Sequence, residues 1–369
     1  MNRRILIATG HTGGHLYPAQ ALALELISGG VGKPILLEHQ RPLEKRVFNE
    51  DGMDKVLAPW HGRGRFAFLS SVPAAMKLLR QQKISAVIGF GAYPSVTVGI
   101  AARILKIPLF LHEQNRVLGK ANRILASMAD KVFLSFPLPS PSRGLRSKSF
   151  ISGCPIRPEF QTRADADLPL RCLIVGGSQG AEEVNHRVLA AAELLQPELR
   201  QNLEIVHMAS EPNTDQVQQA WQKMGFNARV VPYIEDVFAE MAQSHVVISR
   251  AGASTIAELV AVGRGGIFMP YRGHADQHQF LNAQYLEDRG AGIVLEPTAT
   301  AEQFATLLQN TLAEGHWRKL AEQARTLGRP RAATAISEMI RIHLDARDGS
   351  DFSDRPDSDC RVREEVEAG

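Results

Sequence analysis

Cysteine is scarce in this sequence: Cys154, Cys172 and Cys360 are the only three among 369 residues. Three scattered thiols build neither a disulfide framework nor a metal knuckle, so reduced thiols in a reducing compartment are expected. Long apolar runs are missing too. The best attempt, VTVGIAARIL, is interrupted by Arg103, well short of the ~20 residues a membrane-spanning helix needs. The start, MNRRILIATG, enters a strand pattern without an apolar signal core, so a soluble or peripheral protein is expected. Acidic residues are rare in the first half. Residues 1–160 carry 22 Lys+Arg against 9 Asp+Glu, a balance of +13, whereas residues 161–369 carry 20 against 30, a balance of −10. The small net charge of +3 hides this division. A basic half suits phosphates, nucleic acid or an anionic membrane.

What is present is a repeated strand–loop–helix pattern. Arg4 to Thr9 reads as a buried strand, followed by Gly10-His11-Thr12-Gly13-Gly14-His15 and a helix expected to open at Pro18. The glycines fall as G-x-x-G-G rather than G-x-G-x-x-G, which argues against a dinucleotide site using Glu38. His15 ends a glycine loop, where a neutral imidazole can accept a proton; the plainer reading is a loop hydrogen bond. Further strands end at Phe90, His112 and Ser135, in polar or flexible loops such as GFGAYP and HEQN. Within HEQN, Glu113 is read as a loop brace rather than a catalytic acid. Ahead of the strand that ends at Phe90, Phe66, Phe68, Leu69, Met76 and Leu79 alternate with Arg63, Arg65, Lys77, Arg80 and Lys83. Apolar residues fringed by cations suit an anionic bilayer surface. The same spacing also describes an amphipathic helix packed on its own sheet. Phe136 to Ser149, rich in Pro, Ser and Arg, is expected as loop.

The pattern restarts after a polar linker, Gln161 to Asp167. Strand RCLIV leads into Gly176-Gly177-Ser178-Gln179-Gly180-Ala181, a candidate diphosphate cradle in which Ser178 adds a hydroxyl. Ile234 follows a later strand and could offer backbone groups to a base. From Val246 to Gln279 the chain reads strand VVIS, small-residue turn, helix, strand, then a polar loop with His274, Asp276, His278 and Gln279. The helix amines there form an anion site, and Glu258 near the helix start suits neutral vicinal hydroxyls such as those of a ribose. Alternatively it only complements the helix dipole. Helices with a break at Pro330 complete the pattern, and residues 345–369, with nine acids and four arginines, are expected to be disordered.

Two glycine-loop units imply an α/β protein of two doubly wound Rossmann-like domains facing across a cleft, 1–161 and 162–344, followed by the tail. TGGH at Thr12–His15, HEQN at His112–Asn115, GGSQGA at Gly176–Ala181, AGASTIAE at Ala251–Glu258 and DQHQ-x-x-NA ending at Ala283 occur in this order. Together they resemble the MurG glycosyltransferases of peptidoglycan synthesis, in glycosyltransferase family 28, from about Arg4 to Ile342.

The resemblance implies a GT-B fold and inverting transfer of N-acetylglucosamine from UDP-GlcNAc to the C4 hydroxyl of the muramyl sugar of lipid I, giving lipid II and UDP. No cofactor and no metal are implied. Carried across, Ser178 meets the diphosphate, Ile234 the uracil and Glu258 the ribose. Ala253, Ser254, Thr255, Ile256 and Ala257 line the donor phosphate, and Gln279 contacts the sugar. Thr12, Gly13, Gly14, Asn115 and Arg157 complete the site, and His15 is the candidate general base. The basic first domain would then contact the cytoplasmic face of the cell membrane through the Arg63–Arg80 stretch, with lipid I as partner and no nucleic acid. Cell-wall and division machinery are further candidate partners. The chain departs from the family pattern at His11, Cys154 and Arg264-Gly265-Gly266. Alternatives are transfer to another lipid acceptor, a UDP-GlcNAc 2-epimerase, and a non-catalytic UDP-sugar-binding protein.

Overall fold

The structure, a computed structural model, describes residues 3–10, 12–39, 41–48, 53–59, 65–161, 169–176 and 182–349, and for 65–69 and 161 the backbone alone. His11, Arg63, most of the linker, Ser178 with its loop from Gly177 to Ala181, and the acidic tail beyond Gly349 lie outside the described residues, as do the side chains of Arg65, Phe66, Phe68 and Leu69. The chain divides into two units, one of residues 1–157 with 330–369 and one of residues 158–329.

The first unit is built on a parallel sheet of seven strands: β1 (Arg4–Ala8), β2 (Lys33–Glu38), β3 (Asp54–Leu57), β4 (Ala86–Gly89), β5 (Leu109–Glu113), β6 (Lys131–Leu134) and β7 (Ser149–Ile151). Helices α1 (Gly13–Ser28), α2 (Pro42–Val47), α3 (Arg65–Gln81), α4 (Ala92–Ile104), α5 (Lys120–Leu125) and α6 (Arg143–Arg146) connect them. Strands such as AVIG and LFLHE are buried along their whole length, which is what helices on both faces of a parallel sheet require. The spatial order is β3-β2-β1-β4-β5-β6-β7, so the chain reverses direction across the sheet between β1 and β4. At that point the loops after the two strands diverge and leave a crevice.

The second unit repeats this plan with six parallel strands: β8 (Arg171–Val175), β9 (Glu204–Met208), β10 (Asn227–Val231), β11 (Val246–Ser249), β12 (Gly266–Phe268) and β13 (Gly292–Val294). Its helices are α7 (Glu182–Ala192), α8 (Pro197–Asn202), α9 (Thr214–Lys223), α10 (Val237–Gln243), α11 (Ala253–Val262), α12 (His278–Glu287), α13 (Ala301–Leu312) and α14 (Trp317–Leu327). Order β10-β9-β8-β11-β12-β13 puts the reversal between β8 and β11.

Four expectations change. Helix α1 starts at Gly13 rather than Pro18, because the Thr12 carbonyl already accepts from the amides of His15 at 3.0 Å and Leu16 at 3.1 Å. His15 is therefore a first-turn helix residue. Leu79 is fully buried among Leu6, Val98 and Leu109, and Met76 packs partly against the same core. Leu79 presents no apolar face outward and Met76 only part of one, while Lys77 and Arg80 are exposed. A short helix, α6, interrupts the expected loop at Phe136–Ser149. Finally, the helix after Pro330, α15 (Ala332–Arg347), belongs to the first unit, although its sequence position assigns it to the second domain. Its Ile336, Ile340 and Leu344 join Leu22 and Leu26 of α1 in one core. Buried Arg3 pairs with Asp345 at 2.8 Å and Asp348 at 2.6 Å. The break at Pro330 stands between α14 and α15 as expected, because the ring cannot continue a helix.

Candidate active site

In the first unit the carboxyl ends of β1, β4 and β5 converge on His15. Thr12 precedes α1 with extended backbone, and its Oγ1 lies 2.8 Å from His15 Nδ1. The imidazole fills the space over two glycines. A Cβ at Gly10 would stand 2.9 Å from Nδ1, and one at Gly91 3.4 Å from Nε2. Gly91 and Ala92 both take positive φ, +90° and +63°. For alanine that left-handed conformation costs about 1–2 kcal/mol. Gly13 and Gly14 open α1 immediately before His15, so the residues of TGGH lie together at the start of that helix. Arg157 sits 5.4 Å from the Tyr17 ring, on the next turn of α1.

Behind His15 lies a buried polar layer made by HEQN. His112 Nε2 is 3.2 Å from the Gly153 carbonyl, and its Nδ1 is 3.2 Å from Gln114 Nε2. Because Gln114 can only donate there, the ring is neutral, with its proton on Nε2. Burial holds its pKa down at about 4, with a smaller contribution from nearby His15. Glu113 accepts from the amides of Asn115 and Gly119 at 3.1 and 2.9 Å, and from the side chains of Asn115 and Asn122 at 3.3 and 2.8 Å. Burial pushes its carboxyl up, while those four donors pull the other way. Glu113 is thus the loop brace the sequence suggests, and it fixes Asn115. Asn122 also donates to the His112 carbonyl at 3.0 Å. No sequence signal marks Asn122, because its role depends on α5 lying against β5.

In the second unit α11 begins at Ala253, so Ala253 and Ser254, which the sequence places in the turn before a helix opening at Thr255, belong to the helix itself. Gly252 caps the helix start, and Gly263, left-handed at φ +79°, ends it with amides of Gly263 and Arg264 returned to Val260 and Leu259. Ser254 and Thr255 lie half-buried in the first turn, the end of a helix that suits an anion. Glu258 falls in the second turn and is 8% exposed. It is too far along to serve merely as a first-turn charge on the dipole. Ile234 buries its side chain in the loop after β10, so only its backbone can meet a ligand. Gln279, in the first turn of α12, accepts from the Tyr271 amide through Oε1 at 2.9 Å; its Nε2 is then the group that can meet a sugar hydroxyl.

Two residues that are not among the candidates above tie these loops together. Asn282 donates to the Ala251 carbonyl at 3.3 Å, joining α12 to the turn before α11. Arg250 donates to the Met269 carbonyl and to Glu183, linking the ends of β11 and β12 to the first turn of α7.

Two doubly wound parallel sheets, each with a helix N-terminus at its reversal point, make up the GT-B fold class. The family model described as Glycosyltransferase family 28 N-terminal domain matches residues 5–134, and the Glycosyltransferase family 28 C-terminal domain matches residues 171–338. The chain belongs to glycosyltransferase family 28. It is 35% identical over 355 residues to the UDP-N-acetylglucosamine–N-acetylmuramyl-(pentapeptide) pyrophosphoryl-undecaprenol N-acetylglucosamine transferase of Nitrobacter winogradskyi, covering 91% of this chain and 96% of that protein. The protein of the same name from Bradyrhizobium sp. (strain ORS 278) is 35% identical over 354 residues, with the same coverage. Among solved structures, Acinetobacter baumannii MurG superposes with a TM-score of 0.80 at 29% identity, covering 93% of this chain and all of that one. A candidate UDP-N-acetylglucosamine 2-epimerase from Listeria monocytogenes reaches a TM-score of 0.68 at 15% identity, over 96% of this chain and 98% of that one; at that identity the likeness concerns the fold alone.

Proposed function

We propose that this enzyme transfers N-acetylglucosamine from UDP-GlcNAc to the C4 hydroxyl of the muramyl sugar of lipid I, with inversion, giving lipid II and UDP. The observation that carries the mechanism is the Thr12–His15 contact of 2.8 Å. When Nδ1–H donates to Thr12 Oγ1, the lone pair lies on Nε2, and His15 takes the acceptor proton there as the C4 oxygen attacks the anomeric carbon. One base suffices for a single displacement. Glu258 accepts from the ribose hydroxyls, the backbone at Ile234 meets the uracil, and Gln279 Nε2 meets the sugar. Asn115, held by Glu113, and Arg157, held on Tyr17, complete the contacts of the first unit.

Departure of UDP builds negative charge on the diphosphate. The first-turn amides of α11 meet that charge, and the transfer needs no bound metal. The acceptor is lipid-linked, and no helix among the described residues is long and apolar enough to cross a membrane. The enzyme acts peripherally at the cytoplasmic face of the cell membrane, beside the cell-wall and division machinery. Its basic first unit supplies the attraction to anionic lipid.

A radiolabel assay with UDP-GlcNAc, a detergent-solubilised lipid I analogue and EDTA tests this. Label is expected in the lipid product from the unaltered enzyme, with Glu258→Ala weakening donor binding and His15→Ala slowing transfer. Label that stays on a bound nucleotide would overturn the acceptor assignment in favour of another lipid or a sensor. Label recovered in an epimerised nucleotide would identify an epimerase.

A further inference from the structure

The acidic residues 350–369 are absorbed by no part of the transfer reaction. They carry seven acids and three arginines, a balance of −4. Their point of departure is fixed by the fold. Helix α15 lies on the first unit, where Asp348 accepts from Arg3 at 2.6 and 3.1 Å and the Arg347 guanidinium donates to the Lys106 carbonyl. Lys106 follows directly on the end of α4. Residue 350 therefore begins within a few residues' reach of α4, on the basic unit rather than on the acidic one.

The surface there is one-sided in charge. From Lys55 to Pro158 the chain has 16 Lys+Arg and only two acids, Glu113 and Asp130. Glu113 is buried, and Asp130 is engaged with the Leu109 amide at 2.8 Å. Arg103 and Lys106 at the end of α4, and Lys120 and Arg123 on α5, are exposed. The same two segments also expose an isoleucine each, Ile104 at 55% and Ile124 at 54%, which a surface helix would ordinarily turn inward. Cations fringing exposed isoleucines attract an anionic headgroup layer, and they attract an acidic peptide for the same reason.

We propose that residues 350–369 dock on this face of α4 and α5 and compete there with anionic lipid headgroups, so that the chain carries its own regulator of membrane attachment. Twenty residues reach up to about 66 Å when extended, more than enough to cover both helices. Tethering holds it at an effective concentration on the order of millimolar. A lipid surface displaces the tail by offering many negative charges together with an apolar layer for Ile104 and Ile124. The inference rests on the reading of the enzyme as peripheral to the membrane.

Two measurements test it separately. Cosedimentation of the full chain, of residues 1–349, and of a full chain with Asp351, Asp354, Asp357 and Asp359 changed to Asn is measured on phosphatidylglycerol–phosphatidylcholine and on pure phosphatidylcholine vesicles. Both altered forms are expected to bind the anionic vesicles about tenfold more tightly at low salt, and no form to gain on neutral ones. Equal binding of all three to anionic vesicles overturns the proposal. The second measurement uses Cys360, since Cys154 and Cys172 are buried. A benzophenone attached to Cys360 is photolysed without lipid, and the cross-linked peptides are mapped. Cross-links to peptides spanning Arg103–Arg123, lost in high salt or on adding anionic vesicles, are expected; cross-links scattered over both units overturn the docking. If no form binds any vesicle but the cross-links form on α4 and α5, the membrane reading fails while the docked tail stands.

Discussion

Arg250 donates to Glu183 Oε2 at 2.7 Å through one amino group and to the Met269 carbonyl at 2.8 Å through the other, so one guanidinium joins three loops of the second unit. The two arms differ in worth. The Arg250 side chain is 14% exposed but that of Glu183 is 54% exposed, and an ion pair wet on one side contributes little. Glu183→Gln should change unfolding free energy by less than about 0.5 kcal/mol. Arg250→Ala also removes the donor to a strand-end carbonyl and the contact over Tyr271, and should cost about 2 kcal/mol. Urea unfolding of both variants checks the asymmetry; equal losses would mean that the Glu183 arm is the stronger one.

Two buried histidines make the fold sensitive to acid. His112 in the first unit and His207 in the second are both held at a pKa of about 4, chiefly by burial. His207 is also fixed in one neutral form: Nδ1 accepts from Trp221 Nε1 at 3.1 Å, so Nε2 carries the proton toward Asn185 Oδ1 at 2.9 Å. The folded pKa lies below the unfolded value near 6.5. Above pH 6.5 both states are neutral and the stability is whole. Between pH 6.5 and 4 the unfolded chain takes up protons that the native state refuses, and stability is lost at up to about 3 kcal/mol per histidine. Stability measured by urea titration at intervals from pH 7.5 to 4.5 should stay level and then decline. In His207→Gln the decline should be shallower, whatever the variant's loss at pH 7.5; an unchanged slope would remove His207 from the account.

How much of this was legible in the sequence depended on whether a residue's role is local. Parallel strands buried on both faces announce themselves as apolar runs, and the loops after β1, β5 and β11 stand out because their glycines and polar residues interrupt those runs. The helix after Pro330 reads as part of the second domain, because its docking on α1 and the pairing of Arg3 with Asp345 and Asp348 span nearly the whole chain and leave no local signal. Asn122 and Asn282 escaped for the same reason: each acts on a backbone carbonyl of another element. Pro18 misled the reading because a proline often opens a helix, whereas the Thr12 carbonyl starts this one earlier.

Leu79 and Lys77 separate packing from surface attraction on α3. Their alternation fits a membrane face and a core face equally well, and the tertiary structure decides by burying Leu79 completely. Leu79→Ala should cost about 2–5 kcal/mol of stability and leave vesicle affinity per folded molecule unchanged. Lys77→Glu with Arg80→Glu should leave stability within about 0.5 kcal/mol and weaken binding to anionic vesicles, because both side chains are exposed. Thermal unfolding and cosedimentation on the same samples read the two effects apart. Vesicle binding lost in Leu79→Ala protein that remains folded would return that residue to the membrane face.

Thr12 has a more specific consequence for catalysis than for binding. If Nδ1–H of His15 donates to Thr12 Oγ1, the hydroxyl selects the tautomer with its lone pair on Nε2, the form needed to accept the acceptor's proton. Valine at position 12 keeps the shape of threonine but cannot accept that hydrogen bond. Thr12→Val should lower kcat about 10-fold to 100-fold by allowing the other tautomer and letting the ring turn, while the KM for UDP-GlcNAc stays close to the unaltered value. His15→Ala should fall further, by about 10²–10⁴ in kcat, as expected for loss of a positioned base. Thr12→Ser, which restores the oxygen, should recover most of the rate. Adding Thr12→Val to His15→Ala should then lower the rate no further, since the hydroxyl acts through the ring; an additional loss in the double variant would mean that Thr12 touches the substrate on its own account.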